Sequence, residues 1–481
     1  MRKKSRSFSY NGRVIVSLMP AVLLFAVLLI ALPAQETSAE NNVSYIDADG
    51  SLKKVSSVTV LKGTEVSLNG GWYIVNNTLN YSDTLTINGD VQIILKDRQS
   101  MNAKEIYVNH SNKLTICAQS TGPQKGVLTV KGDIVDFNAG IHCAASAIII
   151  INGGLVDSAG GWNSAGIGGR EKENCGTVVI NGGDINASGM SGAGIGSSSE
   201  RSGGTIIING GNINASSKDF SAGIGGSSEH SGGTIIINGG TVSAAGGFAA
   251  AGIGGGDYGN GGFITINGGT VTATGGWCGA GIGGGFKGNI DTIAINGGTV
   301  TATGGKSGAG IGSGWHGNID TITINSGTVT AWGSSSAAGI GGGEGSSGGK
   351  IKISGDANVT AIGGDYYYEF GIGTGGGAGI GSGGTTYSKA SAGTITIDTI
   401  GTVISSGGAG DGKFGKGADI GTGGWQGKNG VEVASDGSTD DESSRSSSLL
   451  LLVFVGVVVF VILGAGIAVV ALTRKGKNKN I

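Results

Sequence analysis

Proline is nearly absent, 3 residues in 481, and the chain has only 4 cysteines and 4 histidines. With so little proline and no Gly-X-Y triplet, the 102 glycines do not belong to a collagen-like triple helix. The cysteines, Cys117, Cys143, Cys175 and Cys278, fall at irregular distances without a CxxC pair, which argues against a sulfur-ligated metal site. Cys117 with Cys143 is the disulfide the sequence favours, with buried free thiols as the alternative. Charge is scarce as well: charged residues make up 13% of the chain and the net charge is −2, so the chain has no electrostatic footprint for nucleic acid. A surface this poor in charge points to neutral partners, glycans or other protein edges. Disorder, the first reading of so much glycine, fails because the 38% of hydrophobic residues sit in register.

That register is a refrain. The asparagine of an Ile-Asn-Gly phrase, or of its close variants, recurs at Asn152, Asn181, Asn209, Asn238, Asn267, Asn296 and Asn325, in steps of 28 or 29 residues. The alanine of Ala-Gly-Ile-Gly keeps the same beat at Ala165, Ala193, Ala222, Ala251, Ala280, Ala309 and Ala338. Two phrases with one period describe a solenoid in which each coil stacks on the last. Within a unit the period is two: Ile293 and Ile295 alternate with Thr292 and Ala294, and Val300 and Ala302 with Thr299, Thr301 and Thr303. The expected fold is therefore all-β, a right-handed parallel β-helix with coils of about 29 residues, the hand following from that of parallel β crossovers. The corner asparagines are expected to form a structural amide ladder.

Domain boundaries follow from composition. Residues 1–39 read as a signal peptide, basic and then apolar. Residues 40–146 keep strand patterns without the refrain and read as an N-terminal cap with irregular first coils, and 147–433 hold the repeats. Residues 434–448 are a polar, acidic, serine-rich linker. Residues 449–472 are an uninterrupted apolar run, long enough at about 1.5 Å per residue to span a bilayer as one helix. The basic tail 473–481 places the C-terminus in the cytoplasm and the coils outside, a single-pass cell-membrane protein with an extracellular N-terminal ectodomain.

Candidate functional residues fall in three groups. Trp162, Phe248 and Trp277 share one loop column with Met190 and Lys306, and Phe286 and Trp315 share another; stacked rings facing outward would form a platform for sugar faces, and the competing use is to cap the barrel interior at a wide loop. Between Ala338 and Ala378 the beat is broken by an insertion holding Tyr366, Tyr367, Tyr368 and Phe370 beside Asp365 and Glu369, aromatic and polar groups suited to a glycan or to covering a coil edge. Asp291 and Asp320 share a coil position, where a Ca2+ ion bridging them with the oxygens of Asn289 or Asn318 competes with simple solvation; no other cofactor is expected. No catalytic residues are assigned, because the outward columns are mostly hydroxyl and amide, as at Thr241, Thr270, Thr299 and Thr328; only Asp157 and Asp184 could approach each other. Gly279-Ala-Gly281-Ile-Gly-Gly284 matches GxGxxG without a following helix and is an accident of the repeat.

The phrases Ile-Thr-Ile-Asn-Gly-Gly-Thr-Val-Thr-Ala-Thr-Gly-Gly and Gly-Ala-Gly-Ile-Gly-Gly-Gly, with the upstream Gly71-Trp-Tyr-Ile-Val stretch, resemble glycine-rich, adhesin-like right-handed parallel β-helix surface proteins of bacteria and archaea, some of them carbohydrate-binding. That resemblance implies the architecture over roughly residues 70–425, with no defined binding residues. The expected function is adhesion or carbohydrate binding, with extracellular polysaccharide or glycoprotein as partner and the membrane as anchor. A passive surface or stalk protein is the alternative, and a polysaccharide lyase or hydrolase comes third.

Overall fold

The computed structural model describes residues 38–199, 201–369 and 372–433, and every regular element among them is a β-strand. One refrain folds as three strands joined by corners: Ile290–Ile295, Thr299–Thr303 and the two-residue Ile311–Gly312. Each pairs in parallel, without slippage, with its counterpart one coil on: Ile319–Ile324, Thr328–Trp332 and Ile340–Gly341. The chain is thus an all-β parallel β-helix.

The alternation in the sequence becomes inside and outside. Ile293, Ile295, Val300, Ala302, Ala309 and Ile311 are all 0% exposed, and the same columns recur in every regular coil. Each buried Ile or Val contributes roughly 1.5–3 kcal/mol, so the interior stack is the main source of stability. The third strand needs glycine for a steric reason. Gly283 has φ 137°, and a Cβ there would lie 1.9 Å from the carbonyl oxygen of Gly312, so only glycine lets neighbouring coils stack at strand spacing.

Both ends of the ladder are managed. At the start, Ala39–Ile46 and Leu52–Val60 form an antiparallel hairpin, which covers a second small core of Val43, Val58, Ile74, Ile94 and Cys117. At the end the chain folds back on Ile420–Gly421: Thr422 N donates to Val431 O at 3.0 Å, and the Glu432 carboxylate accepts from Asp419 N and Ile420 N at 2.9 and 3.0 Å. Turning the last strand edge onto its own chain limits edge-to-edge aggregation.

The cysteine pairing favoured by the sequence is corrected. Ile116 faces the solenoid interior, so by alternation Cys117 points through the opposite face of the wall into the small core under the hairpin, whereas Cys143 lies in the main core. The two cannot meet. All four cysteines are free and buried, and the neighbour of Cys143 is Cys175, one coil on, where Gly176 N donates to Cys143 O at 3.3 Å. The hydrogen bond with Cys143 and burial push the Cys175 thiol well above its ordinary range.

The insertion is a small antiparallel hairpin, Tyr367–Glu369 with Ile372–Thr374, outside the main ladder. Phe370, the signal segment, the linker, the apolar run 449–472 and the basic tail lie outside the described residues. Among the described residues no helix is long and apolar enough to cross a membrane.

Candidate functional site

The site begins with a corner. In four coils a Gly-Gly step, Gly160-Gly161, Gly246-Gly247, Gly275-Gly276 and Gly304-Gly305, precedes the rim residue, and the backbones touch there: a Cβ on Gly276 would lie 1.6 Å from the oxygen of Gly247. The next side chain is left on the outer rim, and Phe248 and Trp277 are 56% and 50% exposed. Their rings stack with centroids 5.8 Å apart and an interplanar angle of 26°. Phe220 extends the line in the other direction, edge-on to Phe248 at 6.1 Å. The sequence pattern missed Phe220 because the beat places Asp219 in this column; the ring comes from the next residue.

Beyond Trp277 the line continues through a cation. Lys306 Nζ lies 4.3 Å from the Trp277 ring centre and 4.4 Å from that of Tyr367, and pairs with Glu369 Oε2 at 3.1 Å. The inserted hairpin is thereby tied to the aromatic rim. Tyr368 packs near Phe414 at 6.0 Å with Lys413 4.8 Å from its ring centre, while Tyr366 is partly exposed and its backbone N donates to Ala409 O. The tyrosines lie over neighbouring coils.

At the other end, the column residues of the coil between Trp162 and Phe220 are Met190 and Ser191, so no ring stands there. The two rings are thus two coils apart, roughly 10 Å at the strand spacing. The gap is a cavity of about 540 Å³ walled by Trp162 and Phe220 and lined by Asn163, Ser191, Asp219 and Glu229. Ser191 Oγ donates to Asp219 Oδ2 at 2.8 Å, which orients that carboxylate at the cavity wall. A slot with aromatic ends and hydroxyl, amide and carboxylate groups between them can hold a ring with apolar faces and hydroxyl edges.

The second column is different. Phe286 and Trp315 are half-buried with centroids 5.3 Å apart, and Tyr258, again one residue past the expected position, meets Phe286 edge-on at 4.8 Å. Trp315 also stacks on His316 at 5.1 Å. Phe286 and Trp315 close a coil edge, while Tyr258 is 48% exposed. Beside them Asp257 is half-buried, and burial pushes its carboxyl up to about 6.

The corner asparagines form one continuous ladder. Each Nδ2 from Asn181 to Asn325 donates to the Oδ1 of the asparagine one coil back, at 2.7 or 2.8 Å. Asn152 closes one end on Cys117 Sγ at 3.8 Å, and Ser354 Oγ closes the other on Asn325 at 2.9 Å. Asn209 through Asn325 are exposed, so the ladder runs along an outer corner.

A shorter amide run, unread in the sequence, links Asn260, Asn289 and Asn318. Asn260 Oδ1 accepts from Asn289 N at 3.0 Å, and Asn289 Oδ1 accepts from both the backbone N and Nδ2 of Asn318 at 3.1 Å. The Asn289 oxygen invoked for a cation beside Asp291 and Asp320 is therefore engaged in the ladder. Among the described residues no three His, Cys, Asp or Glu side chains converge as a metal-ligand set. Asp157 and Asp184 are each taken by another partner, Asp157 Oδ1 by Asn186 Nδ2 at 2.6 Å and Asp184 by Lys125 at 2.5 Å.

A family model described as beta helix repeat matches residues 178–199, 206–228, 235–257, 264–286, 293–315 and 322–344. These six consecutive matches fall on the regular coils and agree with the observed architecture. No curated protein and no solved structure gives a match to the chain.

Proposed function

We propose that this β-helix is a cell-surface protein that binds carbohydrate along its aromatic rim, acting in adhesion, with residues 1–39 as its secretory signal and 449–472 as its membrane anchor. The observation that carries this reading is the exposed line Phe220, Phe248 and Trp277, continued by Lys306 to Tyr367 and opening at its other end into the slot before Trp162. Pyranose rings present C–H faces to aromatic side chains and hydroxyls to carboxylates and amides, and the slot offers both sets of partners within one cavity. Because Phe220, Phe248 and Trp277 stand on successive coils at strand spacing, an extended glycan lying along the axis would meet a ring on each of these three coils.

A purely structural stalk is favoured by one observation. Phe248 and Trp277 stack on each other and the far face of Trp277 meets Lys306, so between them these rings offer edges more than faces. The slot separates the two readings, because Trp162 has no stacking partner among the described residues. Screening the full-length protein in detergent against immobilised neutral oligosaccharides, beside a Trp162→Ala/Phe220→Ala variant, tests the proposal. Binding by the parent and loss in the variant support it. A parent that retains no glycan leaves the stalk reading.

A further inference from the structure

The first coils hold a polar cleft. In regular coils the third strand ends in glycine, but the residue paired with Gly168 is His142, which pairs in turn with Tyr107. The two rings stack at 4.7 Å, so side chains fill a column that later coils leave empty. His142 and Glu105 are both 0% exposed. Glu105 Oε1 stands 4.0 Å from His142 Nδ1, and Glu173 Oε2 lies 3.0 Å from Nε2 on the other side. Thr84 Oγ1 donates to Glu105 Oε2 at 2.9 Å, yet Glu105 Oε1 and both imidazole nitrogens have no well-aligned hydrogen-bond partner among the described residues. Buried polar atoms left without partners are costly, about 1–3 kcal/mol each, and call for an explanation.

Glu105 lies at the floor of a cavity of about 510 Å³, with Thr84, Asn138 and Arg170 around it. Burial raises the Glu105 carboxyl above its usual range, against the Thr84 hydrogen bond and the charges of His142 and Arg170, which pull it down. The close approach of His142 Nε2 at 3.0 Å lowers the Glu173 carboxyl below its usual range. Arg170 is half-buried and its guanidinium makes no hydrogen bond or direct ion pair among the described residues. Lys104 is engaged by Asp133 and Asp136 at 3.3 and 2.6 Å, which pins one wall of the cleft.

We propose that this cleft is a second binding site, separate from the aromatic rim, for a carboxylated sugar unit of the uronate class. The ligand carboxylate is received by the unpaired fork of Arg170 and by the orphaned Glu105 Oε1 at the cleft floor. A guanidinium fork matches a carboxylate in two parallel hydrogen bonds, and Glu105 in its protonated form adds a third donor without adding negative charge. The other lining groups, Asp83, Asp136 and Asn138, are acceptors suited to sugar hydroxyls. That pairing of an anion clamp with hydroxyl acceptors, and no apolar wall, favours an acidic saccharide over a peptide carboxylate.

Titration calorimetry of the full-length protein with tri-galacturonate, and with its carboxyl-reduced neutral counterpart, tests the assignment. The uronate trimer is expected to bind and the neutral trimer not to bind at this cleft. Arg170→Gln should weaken uronate binding at least tenfold with an unchanged melting temperature. Glu105→Gln, which keeps a donor, should retain more affinity than Glu105→Ala. Trp162→Ala should leave uronate binding intact, so failure of the aromatic-rim reading would not affect this result. No binding of the uronate trimer, equal binding of the neutral trimer in a Trp162→Ala/Phe220→Ala background, or stronger uronate binding in Arg170→Gln would overturn the proposal.

Discussion

The ammonium of Lys306 sits 4.3 Å from the ring centre of Trp277, and the same ammonium lies 4.4 Å from the ring of Tyr367, joining a regular coil to the one inserted hairpin. Partly exposed cation–π contacts contribute about 0.5–1 kcal/mol each. Lys306→Met should therefore loosen the hairpin while leaving the solenoid folded. Limited chymotrypsin digestion should cut at Tyr366–368 faster in the variant, with the melting temperature of the coils within a degree or two of the parent. Unchanged cleavage would mean that Tyr368 on Phe414 holds the hairpin alone.

Asn267→Ala and Asn296→Ala each remove one rung of the amide ladder and strand an acceptor and a donor on the adjacent rungs. Because these amides are exposed, water replaces part of what is lost, and the expected cost is about 0.5–1.5 kcal/mol each. Since rungs polarise one another, a double variant of adjacent rungs should depart from additivity. Equilibrium unfolding of the two single variants and the double variant measures this; no destabilisation in any of them would show that the ladder is ornamental.

Asp257 gives the protein a pH dependence whose sign is fixed. Its carboxyl sits at about 6 in the fold, raised chiefly by burial and further by Glu229, against an ordinary value of 3.8. The fold therefore binds this proton more tightly than the unfolded chain does, and the contribution, fully present below the ordinary value, is lost as pH rises to about 6. Asp257→Asn should raise the melting temperature at pH 7 and flatten its slope between pH 4 and about 6. For a half-exposed group, solvent screening reduces the gain to about 1 kcal/mol.

Cys143 and Cys175 lie one coil apart in the main core, whereas Cys117 faces the other side of the wall. If the chain is exported, a disulfide-forming catalyst should link Cys143 to Cys175 in preference to any pair with Cys117. Non-reducing peptide mapping of the secreted form checks this. A Cys117–Cys143 linkage would require the wall of the solenoid to open.

How much of this was legible in the sequence depended on repetition. Where Asn267, Asn296 and Asn325 recur at one interval, the eye can stack them, and the same interval aligned Phe248 with Trp277. Phe220 and Tyr258 escaped because their rings reach the column from one residue further on, which a rigid period cannot show. Glu105 and His142 escaped for a deeper reason: they precede the refrain, and only the pairing of Ile106 with Ile141 brings their coils together. The cysteine pairing goes the other way because alternation sends Ile116 inward and Cys117 outward, which no spacing between cysteines reveals.

The anchor is tested by truncation. The described coils close their own core at Val433, whose N donates to Ile420 O at 2.9 Å, so removal of residues 449–481 should release a folded β-rich ectodomain into the medium. Retention at the membrane after the deletion would place the attachment in the coils themselves.

The most direct test of glycan binding is the affinity of the full-length protein for a neutral oligosaccharide selected from the array, measured in parallel for Trp162→Ala, Phe220→Ala and Phe286→Ala. The account predicts that the first two lose at least tenfold in affinity at unchanged melting temperature. Phe286→Ala, whose ring only closes a coil edge, should lose stability and keep its binding. Equal affinity across all three variants would contradict the account.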